Sequence, residues 1–187
     1  MNNKIVYRMY SSFARAGFSV LRFNFRGVGR SMGKFDDGLG EMSDAASALD
    51  WVQLQNPDAS SCWIAGFSFG AWIGMQLLMR RPEIDGFIAV APPANHYDLS
   101  FLAPCPASGL IVYGTKDGVS PASDVERVVS KIRTQKNIKV DHQSVEGADH
   151  FYRNPQDKSV DYLPEIETKV SAYLERRLAP DAIKRQG

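Results

Sequence analysis

Over the first sixteen residues apolar side chains return every four positions. Ile5, Met9 and Phe13, flanked by Val6, Tyr10 and Ala14, form one side, and Lys4, Arg8, Ser12 and Arg15 form the other. That period predicts an amphipathic helix over residues 3–16, closed by Gly17. Residues 18–25 (FSVLRFNF) change to an aromatic-rich run that alternates at its end, which is a strand pattern. A glycine-bearing loop follows over 26–33 and continues through 35–40. From about residue 41 to 55, Met42, Ala45, Leu49 and Val52 share a helical face, and Asn56-Pro57-Asp58 ends it. The apolar run 62–66 reads as a strand. A sharp turn then leads into a helix that reaches Met79 and is stopped by Arg80-Arg81-Pro82. Residues 86–91 and 109–113 are continuously apolar, as strands covered on both faces are. Between them, 94–108 is a loop of the length that often covers a site. Ser120-Pro121 reads as an N-cap with proline at the first helical position, opening a helix that carries Val125, Val128, Val129 and Ile132. The more polar strand 138–145 suits a sheet edge. A last helix over 163–178 presents Ile166, Val170, Tyr173 and Leu174, and the tail 181–187 is polar. Strand and helix alternate throughout, which predicts one α/β domain over residues 1–187 with a mostly parallel sheet flanked by helices.

Charge narrows the functional classes. Lysine plus arginine (22) nearly cancels aspartate plus glutamate (21), so no global field recruits nucleic acid or an anionic membrane. A small-molecule or peptide substrate fits better. Cys62 and Cys105 are too few for a disulfide framework, and the histidines at 96, 142 and 150 are too scattered for a multi-histidine metal site. No metal and no organic cofactor are expected. No apolar run is long enough to span a bilayer, and Met1-Asn2-Asn3-Lys4-Ile5-Val6 lacks a signal-peptide core, so a soluble cytoplasmic protein is the expectation. Gly27 and Gly29 after a strand invite a dinucleotide-binding reading, but the third glycine falls at 33 rather than 32 and no helix starts at once.

The candidate chemistry centres on Gly66-Phe67-Ser68-Phe69-Gly70. A serine at a strand-to-helix turn is held in a strained backbone, small residues two positions either side give the crowded chain room, and the hydroxyl stands at the helix N-terminus. There the Phe69 amide and the helix dipole can stabilise an oxyanion. Asp117 and His150 also fall just past strands. Neutral imidazole of His150 can take the Ser68 proton and return it to a leaving group, and Asp117 can fix the tautomer and stabilise the cation. Each has a plainer reading: a chance five-residue motif, a turn aspartate in Thr115-Lys116-Asp117-Gly118, a surface-loop histidine. Three such residues in the order serine, acid, histidine at three strand ends favour the chemical reading. Asp149 adjoins His150, so its side chain diverges from it. His142 lies mid-strand, and His96 sits in the 94–108 loop. Neither cysteine has a local histidine partner.

The run Phe23-Asn24-Phe25-Arg26-Gly27-Val28-Gly29-Arg30-Ser31, the Gly66 to Gly70 turn, Asp117 before Val119-Ser120-Pro121, and Gly147-Ala148-Asp149-His150-Phe151 together resemble the α/β-hydrolase superfamily. More narrowly, they resemble the small bacterial hydrolases related to dienelactone hydrolase and the serine-peptidase-like esterases. The resemblance covers essentially the whole chain. It implies a serine hydrolase that cleaves an ester, thioester or amide through an acyl-enzyme. Ser68, where dienelactone hydrolases proper carry cysteine, departs from that particular activity. The resemblance also places a hairpin and a further strand ahead of the helix at 3–16. That strand lies between the ones at 18–25 and 62–66, and the loop after it carries the second oxyanion donor. The expectation is therefore an N-terminally truncated three-layer sandwich that retains the Phe69 donor. A non-catalytic protein of this fold, or an inactive fragment without a complete oxyanion hole, is the alternative.

Overall fold

The structure is a computed structural model that describes residues 2–132 and 138–179; the polar tail expected at 181–187 lies outside the described residues. Helix α1 (Lys4–Arg15) starts where the Asn3 side-chain oxygen accepts the amides of Ile5 and Val6 at 2.9 and 3.1 Å. This is N-capping, which satisfies donors that the first turn leaves without partners. Helix α2 (Leu39–Gln55) begins two residues earlier than its apolar face indicates. Gly38 turns the chain with φ +95°, and the buried carboxylate of Glu41 reaches back to accept the amides of Asp36 (3.0 Å) and Gly38 (2.9 Å). Four strands follow in sequence order: β1 (Trp63–Phe67), β2 (Gly86–Val90), β3 (Ser108–Gly114) and β4 (Val140–Val145). Helices α3 (Phe69–Leu78), α4 (Ala122–Ile132) and α5 (Leu163–Leu178) alternate with them.

The pairings between these four strands are parallel and the order is β1-β2-β3-β4, so among the described residues β4 lies at an edge of the sheet. Every residue of β2 and β3 is buried. Successive side chains point to opposite faces and feed two separate cores. Phe87, Ala89, Ile111 and Tyr113 pack with α2, α3 and α4 on one face. Ile88, Val90, Leu110 and Val112 pack with α1 and α5 on the other. The result is a helix–sheet–helix sandwich in which a parallel register brings the carboxyl ends of the strands to one rim.

Two expectations are corrected. Residues 18–25 form no strand. Their chain is anchored at its start by the Phe18 amide on the Phe13 carbonyl (3.1 Å), and Phe18 packs edge-on against Trp63, but no ladder partner lies beside it among the described residues. A strand is defined by its pairing, and alternation alone does not supply one. On the same side β1 is an edge of the sheet among the described residues, and its central Ala65 is exposed. The second correction concerns Ser120, which does not cap α4: the Pro121 carbonyl accepts the first helical amides, from Asp124 and Val125. The buried Ser120 hydroxyl donates instead to the Ala91 carbonyl at 3.3 Å, tying the end of β2 to the turn after β3.

Leu110 is fully buried in the middle of β3. Truncating it to alanine is expected to cost about 2–5 kcal/mol, read as a lower urea midpoint with an unchanged m-value.

Candidate active site

The turn from β1 into α3 is built by close backbone packing. Ser68 takes φ 52° and ψ −122°, a region that costs a non-glycine residue on the order of 1–3 kcal/mol. It is held there from both sides, because its amide donates to the Val90 carbonyl (2.8 Å) and its carbonyl accepts the amides of Ala71 and Trp72. Gly66 makes the approach possible, since a Cβ at that position would overlap the Gly70 carbonyl and the Ala71 amide. α3 starts at the next residue, so the Phe69 N–H is the first of the helix amides that the helix itself leaves without an acceptor.

At the end of β3, Gly114 lies against the Ala148 carbonyl, so the turns after β3 and β4 pack together without a side chain between them. The Lys116 amide donates to the Ala148 carbonyl (2.9 Å) and the Gly147 amide to the Thr115 hydroxyl (2.9 Å). Across this joint one oxygen of the buried Asp117 carboxylate accepts the amides of Val119 (2.8 Å) and Ser120 (2.7 Å). The other oxygen lies 2.8 Å from Nδ1 of His150, and Nε2 of His150 lies 2.9 Å from Ser68 Oγ. His150 is itself buried. A carboxylate accepts only, so Nδ1 carries the proton and the Nε2 lone pair faces the hydroxyl. The structure thus brings Ser68, His150 and Asp117 into one hydrogen-bonded chain, an arrangement able to draw a proton off the serine. Tyr152, fully buried with φ 58°, pins the histidine loop by donating its hydroxyl to the Val112 carbonyl at 3.0 Å, and burial pushes that phenol well above its usual range.

The other residues that the sequence singled out take no part in this hydrogen-bonded chain. Asp149 shapes its own turn, accepting the amides of Phe151 and Arg153, both at 2.9 Å. His142 lies within β4, its ring parallel to that of Tyr113, and His96 is exposed beyond Pro92-Pro93. Burial pushes the thiols of Cys62 and Cys105 up, which keeps them protonated at neutral pH and makes them poor nucleophiles. Among the described residues no three or more of His, Cys, Asp and Glu gather as a metal-ligand set. A cavity of about 80 Å³ between the 94–103 segment and α4 is lined by residues such as Asp98, Leu99 and Arg127 and by none of the three chain members.

Two features went unread in the sequence. The first is the anchor of the 26–40 loop: Arg26 donates to Asp44 through its amide (3.0 Å), Nε (3.1 Å) and Nη2 (2.8 Å). The hydrogen bond from Arg26 holds the Asp44 carboxyl below the usual carboxylate range. The second is an aromatic group around Phe69, formed by Phe25, Phe35, Trp72 and Tyr97. Two of its rings come from segments the sequence did mark, Phe25 from the aromatic-rich run 18–25 and Tyr97 from the 94–108 loop.

A family model described as X-Pro dipeptidyl-peptidase (S15 family) matches residues 1–177. An Agrobacterium tumefaciens protein of unknown function, classed with the alpha/beta hydrolases, is 56% identical with a TM-score of 0.88, covering 95% of this chain and 78% of that one. An alpha-beta serine hydrolase homologue from Coxiella burnetii is 32% identical with a TM-score of 0.78, covering 96% of this chain and 78% of that one. An uncharacterised protein of Rickettsia prowazekii is 55% identical over 157 residues, 82% of this chain and 66% of its own length. The chain therefore spans about two thirds to four fifths of the length of these relatives. Among the described residues no helix is long and apolar enough to cross a membrane.

Gly66→Ala is expected to destabilise the protein by about 1–3 kcal/mol in urea unfolding, because backbone must move to admit the methyl. Gly74→Ala, whose Cβ meets only the Ile64 side chain at 3.4 Å, is the control expected within about 1 kcal/mol of the parent. The lowered pKa of Asp44 means that its pairing stabilises the fold above about pH 4 and is lost as pH falls through the folded value. The stability difference between the parent and Asp44→Ala should accordingly be present at pH 7 and vanish in acid.

Proposed function

Since the chain belongs to the X-Pro dipeptidyl-peptidase (S15) family within the α/β-hydrolase superfamily, we propose that it is a serine hydrolase that cleaves an ester, thioester or amide through an acyl-enzyme. The observation that carries this reading is the Nε2 to Oγ distance of 2.9 Å, on an imidazole whose other nitrogen is held by Asp117. Ser68 Oγ attacks the substrate carbonyl as its proton passes to Nε2 of His150. The Phe69 amide receives the negative charge on the carbonyl oxygen. His150 then gives that proton to the leaving alcohol, thiol or amine as the tetrahedral adduct collapses to an acyl-Ser68 ester. Water, deprotonated by the same imidazole, attacks the acyl carbon, and the acid departs with the proton restored to Ser68. Asp117 keeps its charge throughout and stabilises the imidazolium, helped by the two amides on its other oxygen. Phe69 supplies one oxyanion donor, and such a donor is worth about a hundred- to a thousand-fold in rate. The near-neutral charge and the two unpaired cysteines suit a small-molecule or peptide substrate in the cytoplasm.

A fluorophosphonate probe should label the parent protein and fail to label Ser68→Ala. Asp117→Asn should lower kcat on any ester that the parent turns over by about ten-thousand-fold, because the imidazole then sits in the wrong tautomer. A parent protein that resists the probe, or a Ser68→Ala variant that takes it equally, contradicts the assignment.

A further inference from the structure

The two chain neighbours of Ser68, Phe67 and Phe69, belong to two different groups of aromatic rings. On one side the His150 ring lies 5.1 Å from Phe67 and 5.4 Å from Phe151, the latter 59% exposed. On the other, Phe69 stands 5.6 Å from Trp72, 5.7 Å from Phe35 and 6.1 Å from Tyr97, and Phe35 is 61% exposed. Trp72 and Tyr97 stack face to face, 4.0 Å apart at 21°. Proton delivery decides which side receives which part of a substrate. The leaving group has to lie at Nε2 of His150 to be protonated, so it occupies the Phe67–Phe151 side. The carbonyl oxygen turns to the Phe69 amide, and the acyl arm is left to run over the rings of Phe69, Phe35, Trp72 and Tyr97.

That surface is preformed. The Tyr97 amide donates to the Pro93 carbonyl at 3.0 Å, and the His96 amide to the same oxygen at 3.1 Å. Pro92 and Pro93 stiffen the chain that enters the turn, so little entropy is lost when an arm settles on the tyrosine. An aryl or other apolar arm covers the ring surface that this stack leaves open and gains ring contact. A carboxylate-bearing arm would give up its water to π faces, whose outward charge is negative.

We propose that the substrates are carboxylic acid derivatives with an apolar, aryl-bearing acyl group, selected by the Phe69–Trp72–Tyr97 platform with Tyr97 as a specificity-determining residue. This rests on the serine-hydrolase reading and names the substrate class of the same site. Boronic acids test it without requiring turnover, because Ser68 Oγ adds to trigonal boron and the platform then meets whatever arm the boron carries. Affinities are read as protection of Ser68 from a fluorophosphonate probe. 2-Phenylethylboronic acid should bind about tenfold or more tightly than methylboronic acid or 2-carboxyethylboronic acid. Tyr97→Ala should shrink that ratio severalfold, whereas Tyr97→Phe, which keeps the stacked ring, should restore it. Equal affinities, a preference for the carboxylated arm, tighter binding of the dipeptide boronate Ala-boroPro, or a ratio untouched by Tyr97→Ala overturns the substrate class while leaving the nucleophile assigned. Failure of the probe to label the parent protein overturns the hydrolase reading itself and this inference with it.

Discussion

The site depends on a buried carboxylate. Asp117 lies in the interior of the molecule, where a polar group without hydrogen-bond partners is costly. Two backbone amides and one imidazole N–H answer it, and each comes from a different demand of the fold. The amides exist because the chain turns sharply between β3 and α4. The imidazole arrives because the turn after β4 packs on the turn after β3 with only Gly114 between them. Once Asp117 is ionised and held, the His150 tautomer is fixed, and the orientation of the ring towards Ser68 follows.

Ser68 reaches that ring by a different route. Its strained backbone is sustained by the parallel pairing of β1 with β2, which places the Val90 carbonyl under the Ser68 amide, and by the first turn of α3, which uses the Ser68 carbonyl. Strain concentrated in one residue and opposed by fixed backbone bonds is how a fold holds a hydroxyl clear of its neighbours. The same parallel register, carried across β2 and β3, sets all three side chains on one rim. Its weakness is the outer side of β1, where Ala65 is exposed and residues 18–25 run without ladder bonds.

Local signals made the helices and the buried strands legible. The four-residue period of Ile5, Met9 and Phe13 and the unbroken apolar runs of β2 and β3 each report a face that must be covered. Residues 18–25 carried the alternation of a strand, but pairing depends on a neighbour that periodicity does not reveal. Ser120-Pro121 carried the composition of a helix start, and a distant acceptor, the Ala91 carbonyl, claimed the hydroxyl. At the site, Ser68, Asp117 and His150 were readable because strand ends and chain order restrict where such groups meet. The aromatic platform was not readable, because its rings come from positions as far apart as Phe25 and Tyr97 and meet only after α3 docks on the sheet. The Arg26–Asp44 anchor was hidden for the same reason: it joins a loop to a helix face that shows no pattern pointing to it.

Trapping the covalent intermediate tests most directly whether Ser68 is the nucleophile. The protein is mixed with an activated ester, quenched in acid within the first turnover, digested, and searched by tandem mass spectrometry for the acyl group. A Ser68 nucleophile places the acyl group on Ser68 and leaves a Ser68→Ala control, treated in the same way, without it. Turnover of the ester with the acyl group on another residue, or with no acyl-enzyme formed at any quench time, contradicts it.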